Sequence, residues 1–166
     1  MKYKRIIIKF IINNFLCYTH FFCIKRTLLC WCGFKIGNNT KIVGPIYFGN
    51  KINIKIGNNC WIGRNISFDG DGYVIVGNNV DIAPNVSIST GGHKIGTHDR
   101  RAGLGIINKI IIDDGCWIGT NVLLINNIEI NSGSIVAAGS VVIKNIGPNL
   151  LVAGNPAIEK RRLSDD

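Results

Sequence analysis

The chain has 166 residues, of which 46% are apolar and 17% charged, so it can bury one core and is too apolar for a disordered tail. Its 19 Lys and Arg against 10 Asp and Glu give a net charge of +9. Residues 1–68 hold 11 of these bases and no acid, because the first acidic residue is Asp69. Since the basic residues gather in one part of the chain, we expect no nucleic-acid partner.

Residues 1–35 form a first region with an apolar stretch at its start. Its longest uncharged run, Phe10–Ile24, is short for a transmembrane helix, which needs about 20 apolar residues. No small-x-small cleavage site follows, so we expect neither a removed signal peptide nor export. The predicted location is cytoplasmic, with contact at the inner face of the membrane left open.

The start of this region predicts an amphipathic helix. Lys2, Arg5, Lys9 and Asn13 recur every three or four residues, which places one basic polar face opposite Ile and Phe. Two roles stay open for such a helix. It could lie at an anionic membrane surface as a peripheral contact, or it could pack against the protein's own oligomer.

From residue 36 onward the chain repeats every six residues. An aliphatic residue or Phe occupies positions 36, 42, 48 and 54, then 56, 62, 68 and 74, then 76, 82 and 88, and again 112, 118, 124, 130, 136 and 142. A second small or aliphatic residue follows most of these after four positions, and we expect both series to point inward. This period, with frequent Gly, Asn and Pro, is not helical and predicts short strands separated by corners.

Longer spacings show how the coils stack. Gly-Asn-Asn triplets begin at positions 37, 57 and 77, so these coils are longer than three hexads, whereas Asp113 and Asn131 are separated by three hexads alone. Three hexads make one triangular coil, and about five coils stack as neighbouring parallel strands. The sequence therefore predicts an all-β solenoid over residues 36–160 and a tail at 161–166. Cys60 and Cys116 are predicted to be small inward-facing residues and not metal ligands.

Two of the repeats carry a resemblance to a known family. IGNNCWIGRN at Ile56–Asn65 and IDDGCWIGTN at Ile112–Asn121 resemble the hexapeptide-repeat acyltransferases of the maltose, galactoside and colanic-acid O-acetyltransferase type. The resemblance implies a left-handed parallel β-helix, a handedness that the general rule for crossovers would not predict. It also implies a homotrimer with active sites between subunits, acetyl-CoA as co-substrate and no required metal.

The hexads stop after Ile88, and residues 89–109 are expected to project as a loop. This loop holds His93 and His98, two of the three histidines in the chain. Imidazole titrates at about pH 6.5 and suits a general base. Thr90-Gly-Gly-His93 is similar to the Thr-x-x-His placement of the catalytic base in sugar O-acetyltransferases. His98 does not match that motif, and we expect it to serve loop structure or acceptor contact.

The resemblance implies direct transfer without an acyl-enzyme. His93 would remove a proton from an acceptor hydroxyl, which attacks the acetyl-CoA thioester. The backbone N–H of Thr120 would stabilise the oxyanion, with Trp117 beside it in the acyl site.

Acceptor and coenzyme contacts are implied by the same resemblance. Asn65, Asp69 and Asp71 lie one coil before the His93 loop and are expected to bind acceptor hydroxyls, or else to hydrogen-bond their own turns. Coenzyme phosphates need cations or clustered N–H groups. The residues implied in coenzyme binding are Gly119, Thr120, Ala138, Gly139, Ile143, Lys144, Asn155, Pro156 and Arg161. Ile158 stands where related enzymes often have arginine, so we expect one phosphate contact to be missing or to come from Lys160 or Arg162 instead.

The acceptor stays open at this stage. The basic residues before Asp69 suggest a saccharide, lipid-linked in one version of the hypothesis, in surface-polysaccharide assembly. Serine, aminosugars and xenobiotics are alternative acceptors, and a non-catalytic scaffold is an alternative function. A zinc enzyme of the γ-carbonic anhydrase type is disfavoured because zinc there needs three imidazoles, and only His20 is left beside His93 and His98.

Overall fold

The structure is a computed structural model and describes residues 2–164. Two helices precede all the strands, α1 (Lys2–Phe15) and α2 (Phe22–Trp31). The strands that follow in chain order are β1 (Lys35–Ile36), β2 (Lys41–Ile42), β3 (Ile46–Phe48), β4 (Asn53–Ile56), β5 (Trp61–Ile62), β6 (Ile66–Asp69), β7 (Tyr73–Val76), β8 (Asp81–Ile82), β9 (Ser87–Ser89), β10 (Gly91–Ile95), β11 (Ala102–Ile107), β12 (Lys109–Ile112), β13 (Trp117–Ile118), β14 (Leu123–Ile125), β15 (Ile128–Ile130), β16 (Ile135–Val136), β17 (Val141–Val142), β18 (Leu150–Ala153) and β19 (Ile158–Arg162).

The strands wind through three sheets in rotation. Sheet A contains β1, β4, β7, β12 and β15, and sheet C contains β3, β6, β9, β14 and β17. Sheet B contains β2, β5, β8, β13, β16 and β18 as parallel strands. Ile36 pairs with Ile56 and Ile112 with Ile130, so the later coils are shorter than the first, as expected. The predicted β-solenoid is confirmed, with six parallel strands in sheet B against the five coils anticipated.

Both inward-facing series form the core. Every position of the six-residue series is buried, and Ile62 and Ile118 have no exposed surface. Cys60 and Cys116 are 2% and 1% exposed, which confirms that they face inward. Where a member of the second series is polar, its hydroxyl forms a hydrogen bond with a backbone group, as that of Ser134 does by donating to the carbonyl of Gly147 at 2.7 Å. The core is thus a set of columns that run along the solenoid axis.

The corners explain the Gly-Asn-Asn triplets. Asn39, Asn59 and Asn79 have φ of 57°, 57° and 55°, a left-handed conformation that asparagine tolerates better than most side chains. Their amides also join neighbouring coils, since Nδ2 of Asn39 donates to Oδ1 of Asn59, and Nδ2 of Asn59 to Oδ1 of Asn79, at 3.3 Å each. In later coils Gly115 and Gly133 take this conformation. We call the corners that follow sheets A, B and C the first, second and third corners.

Helix α1 packs on the first coil of its own chain, and the face that carries Arg5, Lys9 and Asn13, with the buried Ile8 and Ile12 beside it, points inward. Arg5 is only 3% exposed, and burial lowers the pKa of its guanidinium. The first coil leaves carbonyls at an open sheet edge, and polar side chains of α1 satisfy them. The bonds run from Arg5 to the oxygens of Cys32, Gly49 and Ile52 at 3.1, 3.2 and 3.0 Å, from Lys9 to Phe48 at 3.4 Å and from Asn13 to Ile46 at 3.0 Å.

The other end of the solenoid is closed by β19. This strand pairs antiparallel with β18 at the edge of sheet B, opposite Leu150–Ala153. It runs to Arg162, two residues into the segment assigned to the tail. Its charged side chains discourage a further strand from adding there. Neither helix in the described part of the chain has the length and apolar character needed to cross a membrane.

Candidate active site

Residues 91–107 leave the solenoid at the third corner as a two-stranded antiparallel arm, whereas Ser89 and Lys109, the ends of the predicted loop, belong to β9 and β12 of the solenoid. Strands β10 and β11 pair only with each other, with Gly91 opposite Ile107 and His93 opposite Gly105. The register shifts between His93 and Ile95, and such a bulge re-aims the side chains beside it. The expected projection is present, but its strands were missed because the segment is rich in glycine and carries no inward-facing period.

His93 is held by the arm itself. Its Nδ1 lies 2.8 Å from the carbonyl oxygen of Gly103. Because a carbonyl can only accept, Nδ1 carries the hydrogen, and in the neutral ring Nε2 is the nitrogen with the free lone pair. Nε2 has no hydrogen-bond partner within residues 2–164. The ring is therefore oriented and able to take up a proton at Nε2.

A cleft of about 650 Å³ opens between the arm and the turn that precedes β7. Both His93 and Asp71 line it, together with glycines of the arm and turn. The Asp71 carboxylate has one ionic partner here, Lys51, at 3.6 Å, and both side chains are solvent-exposed. The structure thus brings the predicted base and one predicted acceptor-binding carboxylate to the same cleft, whose size suits a small ligand.

Thr90 ties the arm to this turn. Its side chain is fully buried, and Oγ1 donates to the Asp69 carbonyl at 2.8 Å and accepts from the N–H of Gly72 at 3.0 Å. Its backbone N–H also donates to Asp69, and its carbonyl accepts from the N–H of Asn108, at 2.8 and 2.7 Å. One residue therefore fixes both ends of the arm and the turn bearing Asp71. The sequence marked Thr90 only as part of a motif.

Glycine is required in the turn beneath the arm. Gly70 has a φ of +87°, and a Cβ there would lie 2.5 Å from the N of Gly91. A Cβ at Gly72 would meet the carbonyl oxygen of Asn108 and lie 2.7 Å from the Cβ of Thr90. The turn can approach the root of the arm this closely only without side chains at these two positions.

The two other predicted acceptor residues are placed differently. The carboxylate of Asp69 accepts a hydrogen bond from the Ser67 hydroxyl. Asn65 lies at the second corner with a φ of 58°, and its Nδ2 donates to Oδ1 of Asn85 at 3.0 Å. Strand β6, about 13 Å long, separates Asn65 from the turn at the third corner. Asn65 and Asp69 therefore hydrogen-bond to side chains of the solenoid itself, and of the three acceptor candidates Asp71 lines the cleft.

The second corner presents the predicted oxyanion donor. The N–H groups on either side of Thr120 are used, since Gly119 donates to Val136 at 2.8 Å and Asn121 to Pro84 at 3.2 Å. The N–H of Thr120 itself has no partner in the described chain. A Cβ at Gly119 would lie 2.6 Å from the backbone of the next coil, which explains the glycine beside it.

The same corner repeats this arrangement one coil later. Gly139 donates to the carbonyl of Thr120 at 2.8 Å, while the N–H of Ala138 has no partner among residues 2–164. The corner ends at the turn of Gly154, Asn155 and Pro156, because the N–H of Val141 donates to Gly154 at 2.9 Å. Trp117 is 54% exposed on sheet B just before this corner. The free N–H groups of Thr120 and Ala138 therefore lie in a row along the second corner, where coenzyme contacts were predicted.

The predicted phosphate contacts lie apart from this row. Lys144 is exposed at the third corner, above the arm, next to Ile143, whose carbonyl accepts from Nδ2 of Asn126 at 3.3 Å. Arg161 is exposed in β19, and Ile158 is 57% exposed in the same strand. The structure therefore leaves both cations accessible and puts an apolar side chain where an arginine was expected.

The two halves of the predicted site do not meet within one chain. His93 lies on the arm at the third corner, and Thr120 lies at the second corner, with β14 of sheet C between them. His98, the other histidine of the arm, pairs with Asp99 at 2.9 Å in open solvent. No group of three His, Cys, Asp or Glu side chains suited to a metal occurs in the part of the chain that the structure describes.

Comparison with solved structures decides the family. A hexapeptide-repeat-containing acetyltransferase from Vibrio cholerae superposes with a TM-score of 0.85 and 30% identity, covering 99% of this chain and 91% of that one. The chain belongs to the hexapeptide-repeat acetyltransferases. A second structure of the same Vibrio cholerae acetyltransferase, complexed with acetyl-CoA, gives a TM-score of 0.85 and 29% identity, with 99% and 87% covered.

Sequence relatives of this hexapeptide-repeat protein agree over a shorter stretch. The galactoside O-acetyltransferase of Lactococcus lactis is 33% identical over 76 residues, which are 46% of this chain and 37% of that enzyme. The first curated relatives that the chain matches are all covered over less than two fifths of their length. No protein-family model matches the sequence.

Proposed function

We propose that this hexapeptide-repeat protein is an acetyl-CoA-dependent O-acetyltransferase that acetylates a saccharide hydroxyl with His93 as general base. The observation that carries the proposal is the 2.8 Å bond from Nδ1 of His93 to Gly103, which orients the ring and leaves Nε2 free beside an open cleft. The acetyl-CoA complex of the Vibrio cholerae relative supports the choice of acyl donor.

In the proposed reaction Nε2 of His93 takes the hydroxyl proton while the acceptor oxygen attacks the thioester carbonyl. The tetrahedral intermediate collapses by breaking the carbon–sulfur bond. The coenzyme A thiolate leaves and receives the proton from the imidazolium, so the base is regenerated. The products are the acetyl ester and free coenzyme A.

Replacing His93 tests the base. We expect His93→Ala to lower thiol release from acetyl-CoA by about 10²–10⁴-fold. The melting temperature should not change, because the side chain is exposed and its hydrogen bond lies within the arm. His98→Ala is the matched control, because His98 lies on the same arm but does not line the cleft, and it should keep full activity; a loss there would instead support an acceptor contact at His98. Equal activity of wild type and His93→Ala would refute the mechanism.

The N–H of Thr120 is the proposed oxyanion donor. Thr120→Pro removes this N–H, and the corner accepts proline because Pro84 occupies the stacked position in the preceding coil. We expect kcat to fall about 10²–10³-fold for Thr120→Pro, whereas Thr120→Ala, which keeps the N–H, stays close to wild type. A large loss in Thr120→Ala with none in Thr120→Pro would assign the role to the side chain.

We further propose that copies of the chain complete the site, in a homotrimer, by setting the arm of one copy beside the second corner of the next. The arm shows Ile95, Leu104 and Ile107 at 89%, 73% and 66% exposure, surfaces that a neighbouring copy would cover. The separation of His93 from Thr120 in one chain supports such an arrangement, because the proposed reaction uses both groups.

Mixing two inactive variants tests this assembly. Co-expressed His93→Ala and Thr120→Pro chains should regain up to about a quarter of wild-type activity per site, because one in four interfaces of a random mixture pairs an intact arm with an intact corner. Light scattering should report three chains per particle. No recovery in the mixed oligomer would place the whole site in one chain.

The proposed acceptor is a saccharide, lipid-linked in surface-polysaccharide assembly on the cytoplasmic side of the membrane. Asp71 supports this choice, since a carboxylate beside the base is suited to bind sugar hydroxyls. Measuring thiol release with mono- and oligosaccharides, aminosugars and serine separates the acceptor classes. Turnover confined to serine or amines would overturn the saccharide assignment and leave the general base in place.

A further inference from the structure

The solvent-facing side of α1 is apolar. Tyr3, Ile6, Ile7 and Phe10 are 80%, 45%, 58% and 60% exposed, and they recur with the spacing of a single helix face. In a globular protein that face normally points to the core. Here Arg5 and Asn13 reach the open edge of the first coil. Ile8 and Ile12 are buried beside them, so the exposed apolar side of α1 is the one turned away from the coil.

Further exposed apolar side chains lie in the loop after α1 and in α2. Nine of the large apolar side chains exposed among residues 2–164 lie between positions 3 and 31, while eight are spread from 47 to 158. The five beyond α1's apolar side are Phe15, Tyr18, Phe21, Ile24 and Trp31. We call these nine side chains the N-terminal apolar face. Some of them are in contact, since the ring centroids of Phe10 and Phe15 lie 6.1 Å apart. Large apolar side chains gathered at the surface in this way indicate an interaction surface.

Charge complementarity indicates what covers this face. No Asp or Glu occurs in residues 1–68, which hold 11 Lys and Arg, and the exposed Lys4 lies on α1 itself. Nζ of Lys4 lies 5.4 Å from the ring centroid of Trp31, so a cation lies beside an aromatic side chain of the type found at membrane interfaces. Tyr, Trp, Phe and Lys on one helical surface are typical of proteins that bind at the membrane–water interface.

A symmetric contact with the same face of a second copy is less favourable. Two such faces in contact would bring basic residues together without a carboxylate from the same region to neutralise them. A bilayer that contains anionic lipid supplies both the apolar layer and the opposite charge.

We propose that the N-terminal apolar face docks this protein flat on the surface of an anionic membrane. The face enters the headgroup region, and the basic side chains contact lipid phosphates. This contact uses the apolar side of α1, which the sequence pattern placed opposite the basic residues. It does not depend on acetyl transfer, so binding and turnover fail independently of each other.

Vesicle sedimentation of the full chain tests the proposal. We expect wild type to bind vesicles of phosphatidylcholine with phosphatidylglycerol, to bind phosphatidylcholine alone far more weakly, and to dissociate as salt is raised. The double variant Ile7→Ser with Phe10→Ser should lower the partition coefficient roughly tenfold or more. Tyr47→Ser with Tyr73→Ser is the matched control, because both side chains are exposed on the solenoid, and it should bind like wild type.

Three results would overturn the proposal. Wild type could fail to bind anionic vesicles, or the Ile7 and Phe10 variant could bind as well as wild type. Alternatively, light scattering could show that this variant changes the number of chains per particle, which would make the face a contact between copies. Melting temperatures confirm that each variant is folded, because the substituted side chains are exposed.

Discussion

The solenoid body and the arm differ in how each residue is held. In the body, a core side chain such as Ile112 has no exposed surface and lies between coils on both sides. In the arm, the strands pair only with each other, and Ile95 is 89% exposed. The stability of the protein therefore resides in the body, while the proposed proton transfer is carried by the arm. Substitutions should separate the two properties, and Thr90, at the junction, should affect both.

The largest effect on stability is expected in the body. Ile112→Ala should lower the free energy of unfolding by about 2–5 kcal/mol, since the removed atoms leave a cavity between two coils. Ile111→Ala is the matched control, because it has the same chemistry on the partly exposed face of the same strand. Chemical denaturation measures both. Equal losses would show that the columns of the core do not dominate stability.

A buried thiol makes the body sensitive to alkaline pH. Burial raises the pKa of Cys116 to about 11, and the thiol of an unfolded chain ionises near pH ~8.5. The contribution of the Cys116 thiol to the free energy of unfolding is fully present below about pH 8.5 and is lost as the pH rises toward about 11. This contribution is on the order of 2–3 kcal/mol.

The same measurement on Cys116→Ser isolates this residue. Serine does not titrate in that range, and Ser134 already fills the stacked position in the next coil. The difference in unfolding free energy between wild type and variant should shrink as the pH is raised from about 8 to about 11. A difference that stays constant with pH would contradict the assignment.

The junction should show an intermediate effect. Thr90→Val removes two hydrogen bonds of the hydroxyl and leaves the buried N–H of Gly72 without an acceptor, which costs about 1–3 kcal/mol. We expect kcat to fall about tenfold at a nearly constant KM for acetyl-CoA, because the arm shifts against the Asp71 turn. Thr90→Ser keeps the hydroxyl and should restore kcat. A loss of stability with unchanged kcat would limit Thr90 to a structural role.

The smallest effect is expected at a corner. Asn59→Ala should cost about 1 kcal/mol more than Asn59→Gly, because alanine resists the left-handed φ of 57° that glycine adopts freely. Both variants lose the side-chain hydrogen bonds of Asn59 to Asn39 and Asn79, so their difference in melting temperature isolates the effect of the backbone conformation. Equal melting temperatures would mean that the corner relaxes.

Sequence reasoning succeeded where contacts repeat. A side chain such as Ile62 meets its equivalents Ile42 and Ile82 in the coils on both sides, so the period alone identified the core and the strands. It succeeded less well where a contact occurs once. The burial of Thr90 and the bond between Asn65 and Asn85 depend on which corner each residue reaches, and no local pattern encodes that.

The periodicity of the chain was sufficient to determine the three-sided coil, its inward-facing residues and its Asn and Gly corners, because each coil presents the same environment to the next. The outward side of α1 was decided only by the tertiary structure. An amphipathic pattern defines two faces, and the open carbonyls of the first coil drew Arg5 and Asn13 inward. The placement of His93 and Thr120 on separate corners was likewise decided by the winding of the solenoid. The arm leaves at the third corner, whereas the free N–H groups lie at the second corner.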